Sequence, residues 1–556
     1  MLEDPRALAA ITAGALERLA PKSVSEKTTE EQRRTMLAEQ AKAYGLEPDE
    51  VDRAVRAWLH KTKDPYEKGL AALYVENYPE ATLHLSESLR MREGELGGIQ
   101  AKVVDAAFFL GRSLYYQGRY RESAAAYQKA AALRADDSII LNNLGLSLYQ
   151  GGEYAKAELL YKQALGIVEK ALGPEHPEVA ASLNNLAVLY KTQGQYTQAA
   201  PLYRRALGIV EKALGPEHPD VATSLNNWAA LYHNQGEYAQ AELLYRRALE
   251  IREKVLGSEH LHVATSLNNL AALYFAQGLY AQAEPLYRRA LGIMEQTLGL
   301  EHPDVATSLN NLAALYHDHG EYAQAELLYK QALGIREKVL GPEHPDVATS
   351  LNNLAASYYA QGLYAQATPL SERALAITEK ALGREHPNVA VSFNNLAALY
   401  SAQGKYAQAE SLHRRALTIR EKVLGSEHPD VTQSLNNLAG LSFARGAYRE
   451  AELLFEQALT IREKVLGPEH PDVATSLNNL AELYREQGQY AKAEPLFRRA
   501  LTIREKVLGP EHPDVAKILR NYAALLRTIN RESEAEKMEV RAEAIRAKHS
   551  EKSSSN

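Results

Sequence analysis

Ten asparagines stand 42 residues apart, at Asn143, Asn185, Asn227, Asn269, Asn311, Asn353, Asn395, Asn437, Asn479 and Asn521. All but the last follow a second asparagine, which gives the pairs Asn184/Asn185, Asn226/Asn227, Asn268/Asn269, Asn310/Asn311, Asn352/Asn353, Asn394/Asn395 and Asn436/Asn437 among others. A carboxamide offers two donors and an acceptor, so a row of them can hold an extended peptide by its backbone without strict sequence demands. The same row can instead be a structural ladder, each amide bonding to the next unit's helix, and both uses can hold at once. From Asn185 on, the side chain six residues beyond each member of the 42-residue series varies: Lys191, His233, Phe275, His317, Tyr359, Ser401, Phe443, Arg485 and Arg527. Variation on a constant frame suits recognition. Phe275, Tyr359 and Phe443 could anchor apolar side chains, and His233 and His317 between them could tune binding with pH. Drift at exposed sites after duplication is the competing explanation.

Nine histidines, from His176 to His512, share the same period in E-H linker phrases. Metal ligation needs side chains that converge within a few ångströms, which one histidine per unit cannot supply, so a turn or helix-capping role is expected. The chain has no cysteine, which excludes disulfides, thiol catalysis and cysteine-ligated metals. No G-x-x-x-x-G-K-[ST], H-E-x-x-H or G-x-S-x-G occurs. No catalytic set is visible, and neither enzyme activity nor a cofactor is expected.

The elements that carry these residues are helices. Around Asn227, the residues Leu225, Trp228, Leu231 and Tyr232 recur at helical steps of three and four. Pro219 and Asp220 suit a first turn, and Gly236 in QGEY suits the end of this first helix, A. A second helix, B, starts near Tyr238 and places Ala241, Leu244, Tyr245, Ala248, Leu249 and Val255 on one side, with charges such as Glu242 and Arg246 outside. Gly257 stops it. A fixed period of this size marks stacked units, each burying its apolar face only against its neighbours.

The order Leu225-x2-Trp228-Ala229-x2-Tyr232, then Ala241-x3-Tyr245, then Ala248 resembles the tetratricopeptide repeat (TPR). The family's closing proline is replaced by Glu253, so helix B can run on and the period stretches from 34 to 42 residues. With its LNNLA, REKVLG and EHPDVA phrases, the long form resembles the repeats of kinesin light chains and related bacterial arrays. The resemblance covers roughly 66–548. It implies an all-α fold: a right-handed α-solenoid, or superhelix, of helix-turn-helix repeats whose A helices line the concave side.

By this pattern, 1–65 is a short helical segment (helices near 5–19, 29–44 and 48–61), 66–137 holds two divergent units, and 138–515 holds nine 42-residue units. Residues 516–548 form a polar cap, and 549–556 read as a disordered tail. The formal net charge of −7 is mild, so no nucleic-acid partner is expected. The first twenty residues read as neither a signal peptide nor a membrane span, so a cytoplasmic protein without a membrane partner is expected. The function expected is a scaffold that binds a protein or peptide in the concave groove. A second reading is the recognition arm of a bacterial signalling or defence system with a separate effector. A third is a kinesin light chain-like cargo adaptor, against which stands the lack of a sustained heptad in 1–65.

Overall fold

The computed structural model describes residues 65–74, 78–93 and 100–550. The helices expected in the 1–65 segment lie outside the described residues; of the tail expected over 549–556, residues 549 and 550 close the last helix and 551–556 lie outside the described residues. Among the described residues there are twenty-four helices in twelve successive A/B pairs and no strand. The chain divides into two compact units, one reaching Leu189 and the other starting at Tyr190, with the division inside helix Pro177–Thr192. The first unit holds the three opening pairs, from Pro65–Tyr74 to Tyr154–Leu172. The second holds the rest of the array, through the closing helix Glu532–Ser550.

Local chemistry fixes each helix. Pro219–Asn234 opens with Pro219 in its first turn and His218 as the N-cap, and its A–B turn closes through Gly236 at φ 73°. Tyr238–Leu256 follows and stops at Gly257, φ 87°, whose amide donates to the Glu253 carbonyl. Both glycines occupy the left-handed region that side chains rarely adopt. The unit around Asn311 repeats the pattern over Pro303–Asp318 and Tyr322–Leu340.

Within the second unit, successive A helices approach one another while successive B helices stand further apart. The A helices therefore form the inner layer of the array and the B helices the outer one. A continuous core lies between them: one cluster of buried side chains runs from Ala229 through Tyr245, Tyr287 and Tyr329 to Leu399. Fully buried alanines such as Ala241, Ala248, Ala283 and Ala290 allow the helices to come close. Exposed Lys–Glu pairs such as Lys254–Glu217 at 2.6 Å cross between units on the outside and add little stability.

Helix B departs from expectation at two places. Val255 is 48% exposed, whereas Ile251 and Arg252 complete the buried stripe. Arg252, Arg336, Arg420 and Arg462 are all buried, and the partners that hold them are hydroxyls and carbonyls. Arg336 donates to the Asp346 carbonyl and Ser350 Oγ of the next unit and to Thr307 Oγ1 of its own, each at 3.0 Å. Burial pushes the guanidiniums down, Arg252 to about 10, which still leaves it protonated at neutral pH. Each arginine thus bridges two units.

Met294 holds the corresponding place one unit before Arg336 and receives Ser308 Oγ at 3.0 Å. Arg336→Met should accordingly cost no more than about 1.5 kcal/mol. Arg336→Ala leaves a void and removes the three bridging bonds, and should cost about 2–4 kcal/mol. Urea unfolding of the two variants checks the difference; equal losses would show that filling the space contributes nothing.

Candidate partner-binding face

The linker histidines orient every long A helix. Each of the nine accepts the backbone amide two residues on through Nδ1, at 3.0–3.3 Å. Nδ1 therefore carries no proton, and the imidazole satisfies a first-turn donor in place of the usual hydroxyl or carboxylate. Among the described residues no group of histidines and acids is arranged to hold a metal.

The paired asparagines have different surroundings. The first of each pair lies between units: Asn226, Asn268, Asn310, Asn352 and Asn394 donate Nδ2 to Ser266, Ser308, Ser350, Ser392 and Ser434 at 3.0–3.3 Å. Asn226, Asn310 and Asn394 are 6%, 6% and 5% exposed. Asn142 makes the same bond to Ser182 at 3.5 Å in the first compact unit. Asn436 instead donates to the Thr432 carbonyl of its own helix at 2.8 Å, and Asn184 is half-buried. At Asn226, Asn310 and Asn394 the amide is enclosed in the interface between units, away from a ligand on the surface, while Asn184, Asn268, Asn352 and Asn436 are half-buried. Of the first asparagines expected to bind a partner, Asn226, Asn268, Asn310, Asn352 and Asn394 form inter-unit rungs, whereas Asn436 bonds within its own helix.

The second asparagines are presented differently. Asn185, Asn227, Asn269, Asn311, Asn353, Asn395 and Asn437 are half-buried, and their amides have no hydrogen-bond partner among the described residues. In the second compact unit they lie on the inner layer, flanked along the helix by positions such as Thr223, Ala230 and Asn234, four before and three and seven after Asn227. Thr223 and Asn234 are exposed and Ala230 half-buried. The floor of the inner face thus consists of small residues, mostly neutral, around free carboxamides. At its far end a small hollow of about 40 Å³ is lined by Thr475, Asn478, Asn479, Arg504, Asp514, Lys517 and Ile518.

The variable side chains sit at the end of helix A, beside the A–B turn. Each aromatic or histidine there packs on the tyrosine that opens helix B: His233 on Tyr238, Phe275 on Tyr280, His317 on Tyr322, Tyr359 on Tyr364 and Phe443 on Tyr448, with centroids 5.5–6.0 Å apart. They form a rim beside the floor, and of these only Tyr359, at 40%, is exposed. Burial, together with nearby Lys191, holds His233 below the usual histidine range, so it stays neutral at physiological pH. The burial of the first asparagine had no separate sequence signal, since both members of each pair repeat equally. The serine 40 residues downstream is the residue that could have revealed it.

Separate roles for the pair imply separate losses. Asn310→Ala removes a buried inter-unit bond and should cost about 1–2 kcal/mol. Asn311→Ala should change stability by no more than about 0.5 kcal/mol. Chemical denaturation of both variants measures the contrast, and equal costs would contradict this placement.

No described helix is long and apolar enough to cross a membrane. Comparison with the curated proteins gives no match. Among solved structures, a candidate kinesin light chain from Podosopora anserina with nearly identical TPR-like repeats is 33% identical; the match covers 37% of this chain and 98% of that one, with a TM-score of 0.32. Its single-substitution variant gives 33% identity, coverage of 37% and 97%, and the same TM-score of 0.32. BtubC (BKLC) from P. vanneervenii is 26% identical, with coverage of 42% and 92% and a TM-score of 0.34. The profile described as "Tetratricopeptide repeat" matches 136–212, 192–254, 220–295, 262–338, 329–377, 346–422, 392–464, 430–506 and 472–548, and a "TPR repeat" profile matches 111–152. With overlapping matches that run without a break from 136 to 548, on an array of paired helices, this chain belongs to the tetratricopeptide repeat family.

Proposed function

We propose that this protein is a non-catalytic scaffold that holds an extended segment of a protein partner along its inner face. TPR repeats generally mediate protein–protein interaction. The observation that carries the finer reading is the row of unpartnered second-position amides, Asn227 through Asn437, spaced one per unit on a floor of small residues. A free carboxamide can accept a peptide N–H and donate to a peptide C=O, which a strand without internal pairing must otherwise give to water. Small neighbours let a backbone come close. Rim residues such as Tyr359 and Phe443 would then select among side chains, while the amides supply binding that is tolerant of sequence.

Peptides selected against the intact chain from a random display library test this reading. Asn269, Asn311 and Asn353 changed together to alanine should weaken the selected peptides about tenfold or more, since each lost bond contributes about 0.5–1.5 kcal/mol. The fold, followed by circular dichroism, should not change. Selected peptides that bind the triple variant equally well would remove the inner face from the function.

A further inference from the structure

The second compact unit touches itself across a long sequence separation. His428 Nε2 donates to the Thr192 carbonyl at 2.6 Å, and His470 Nε2 donates to the Asn234 carbonyl at 3.0 Å. Both pairs are 236 residues apart, between five and six 42-residue repeats. A–B turns lie on one edge of the array and B–A linkers on the other. The array therefore returns upon itself edge to edge, turn against linker.

The turn glycines trace this seam. A Cβ on Gly194 would lie 2.7 Å from Pro429 Cδ, on Gly236 2.8 Å from Pro471 Cδ, and on Gly278 2.9 Å from both His512 and Pro513. The same turn glycine at 320, 362, 404, 446 and 488 meets nothing within 4 Å. The motif is constant, and its surroundings are not. Tyr196, which follows the first seam turn, is 9% exposed, whereas its counterparts Tyr406 and Tyr448 are 38% and 37%.

We propose that the second compact unit carries a clasp, in which the turns at 194, 236 and 278 lock onto the linkers at 429, 471 and 513, hold the curvature of the array at neutral pH, and release when His428 and His470 are protonated. This goes beyond the peptide-binding reading and stands without it. The hydrogen bonds define the switch. In both histidines Nδ1 accepts an aspartate amide, Asp430 or Asp472, while Nε2 donates across the seam. Both ring nitrogens are committed in the neutral form, and a second proton would have to sit on Nδ1 against a backbone N–H. Protonation thus removes the helix-cap acceptor and the anchor that holds the imidazole in place from its own side of the seam, and puts a charge into a buried contact.

The groups facing His428 are Asp430 on its own helix, Arg420 on the preceding B helix and the Thr192 carbonyl opposite. Those facing His470 are Asp472, Arg462, Arg504 and the Asn234 carbonyl. Lys191 and His233 adjoin the two carbonyls in sequence; across the seam Tyr196 feels Asp430 and Asp472, and Tyr238 feels Arg504, Asp472 and Asp514. Burial outweighs the aspartates and the two seam carbonyls, all of which favour the proton, and holds both histidines below the ordinary value. A base depressed in the closed state destabilises closure once pH falls below the open-state value near 6.5, and increasingly so down to the depressed value.

The chain has no cysteine, so Thr197→Cys and Ser426→Cys admit two spin labels that report on the seam alone. At pH 7.5 the labels should give one short distance, and at pH 5.0 a longer one. Gly194→Asn with Gly236→Asn should lengthen the distance already at pH 7.5. Gly362→Asn with Gly404→Asn should not, although the cost in the turn is the same; Asn530 already occupies this turn position at φ 61°. His428→Asn with His470→Asn keeps a capping oxygen but removes the titration, and should give the same distance at both pH values. An unchanged distance in the Gly194/Gly236 variant overturns the clasp. An unchanged wild-type distance at pH 5.0, or acid lengthening that persists in the double asparagine variant, overturns the histidine release.

Discussion

The register between neighbouring units rests on a polar rung in an apolar interface. Ser266, Ser308, Ser350, Ser392 and Ser434, all but fully buried, each receive an asparagine amide from the preceding unit. In three of these five a buried arginine from the preceding B helix reaches the same hydroxyl. Apolar packing alone is not directional, and alanine-rich helix faces can slide with little penalty. A buried donor without its acceptor costs more than the bond contributes when formed, so the rung permits one relative placement of two units and penalises others. Where arginine is absent the hydroxyl still has a neighbour, Met294 or Thr378.

A fixed relation between neighbours, repeated, fixes the path of the chain. Small rotations per unit add up, so a local constraint decides where residues 236 positions apart meet. The seam is therefore a product of the rungs: Gly194 can face Pro429 only because the units between them all stack alike. Buried histidines then link this long-range contact to helix capping, since one imidazole performs both tasks.

The inner face shows a similar economy. Two adjacent asparagines on one helix turn point about 100° apart, which takes one into the unit interface and leaves the other on the surface. Asn310 holds Ser350 while Asn311 is free among the described residues. The aromatic and histidine side chains among the variable positions pack on the turn tyrosines at the rim, so their variation leaves the rungs intact.

Much of this was legible in the residues themselves. The 42-residue period, the proline and glycine punctuation and the alternation of small and bulky side chains determined paired helices, their boundaries and their stacking, because these depend on contacts a few residues apart or one repeat away. Histidine capping could also be inferred, since one histidine per unit excludes convergent ligation. The division of labour within Asn226/Asn227, the burial of Arg252 in a stripe that reads as charged, and the closure of Thr192 on His428 were decided only by the tertiary structure. The physical reason is the same in each case. A repeat gives every unit the same text, but whether a side chain is enclosed depends on the angle at which units stack and on how far the array has turned, and neither quantity is written in any single repeat.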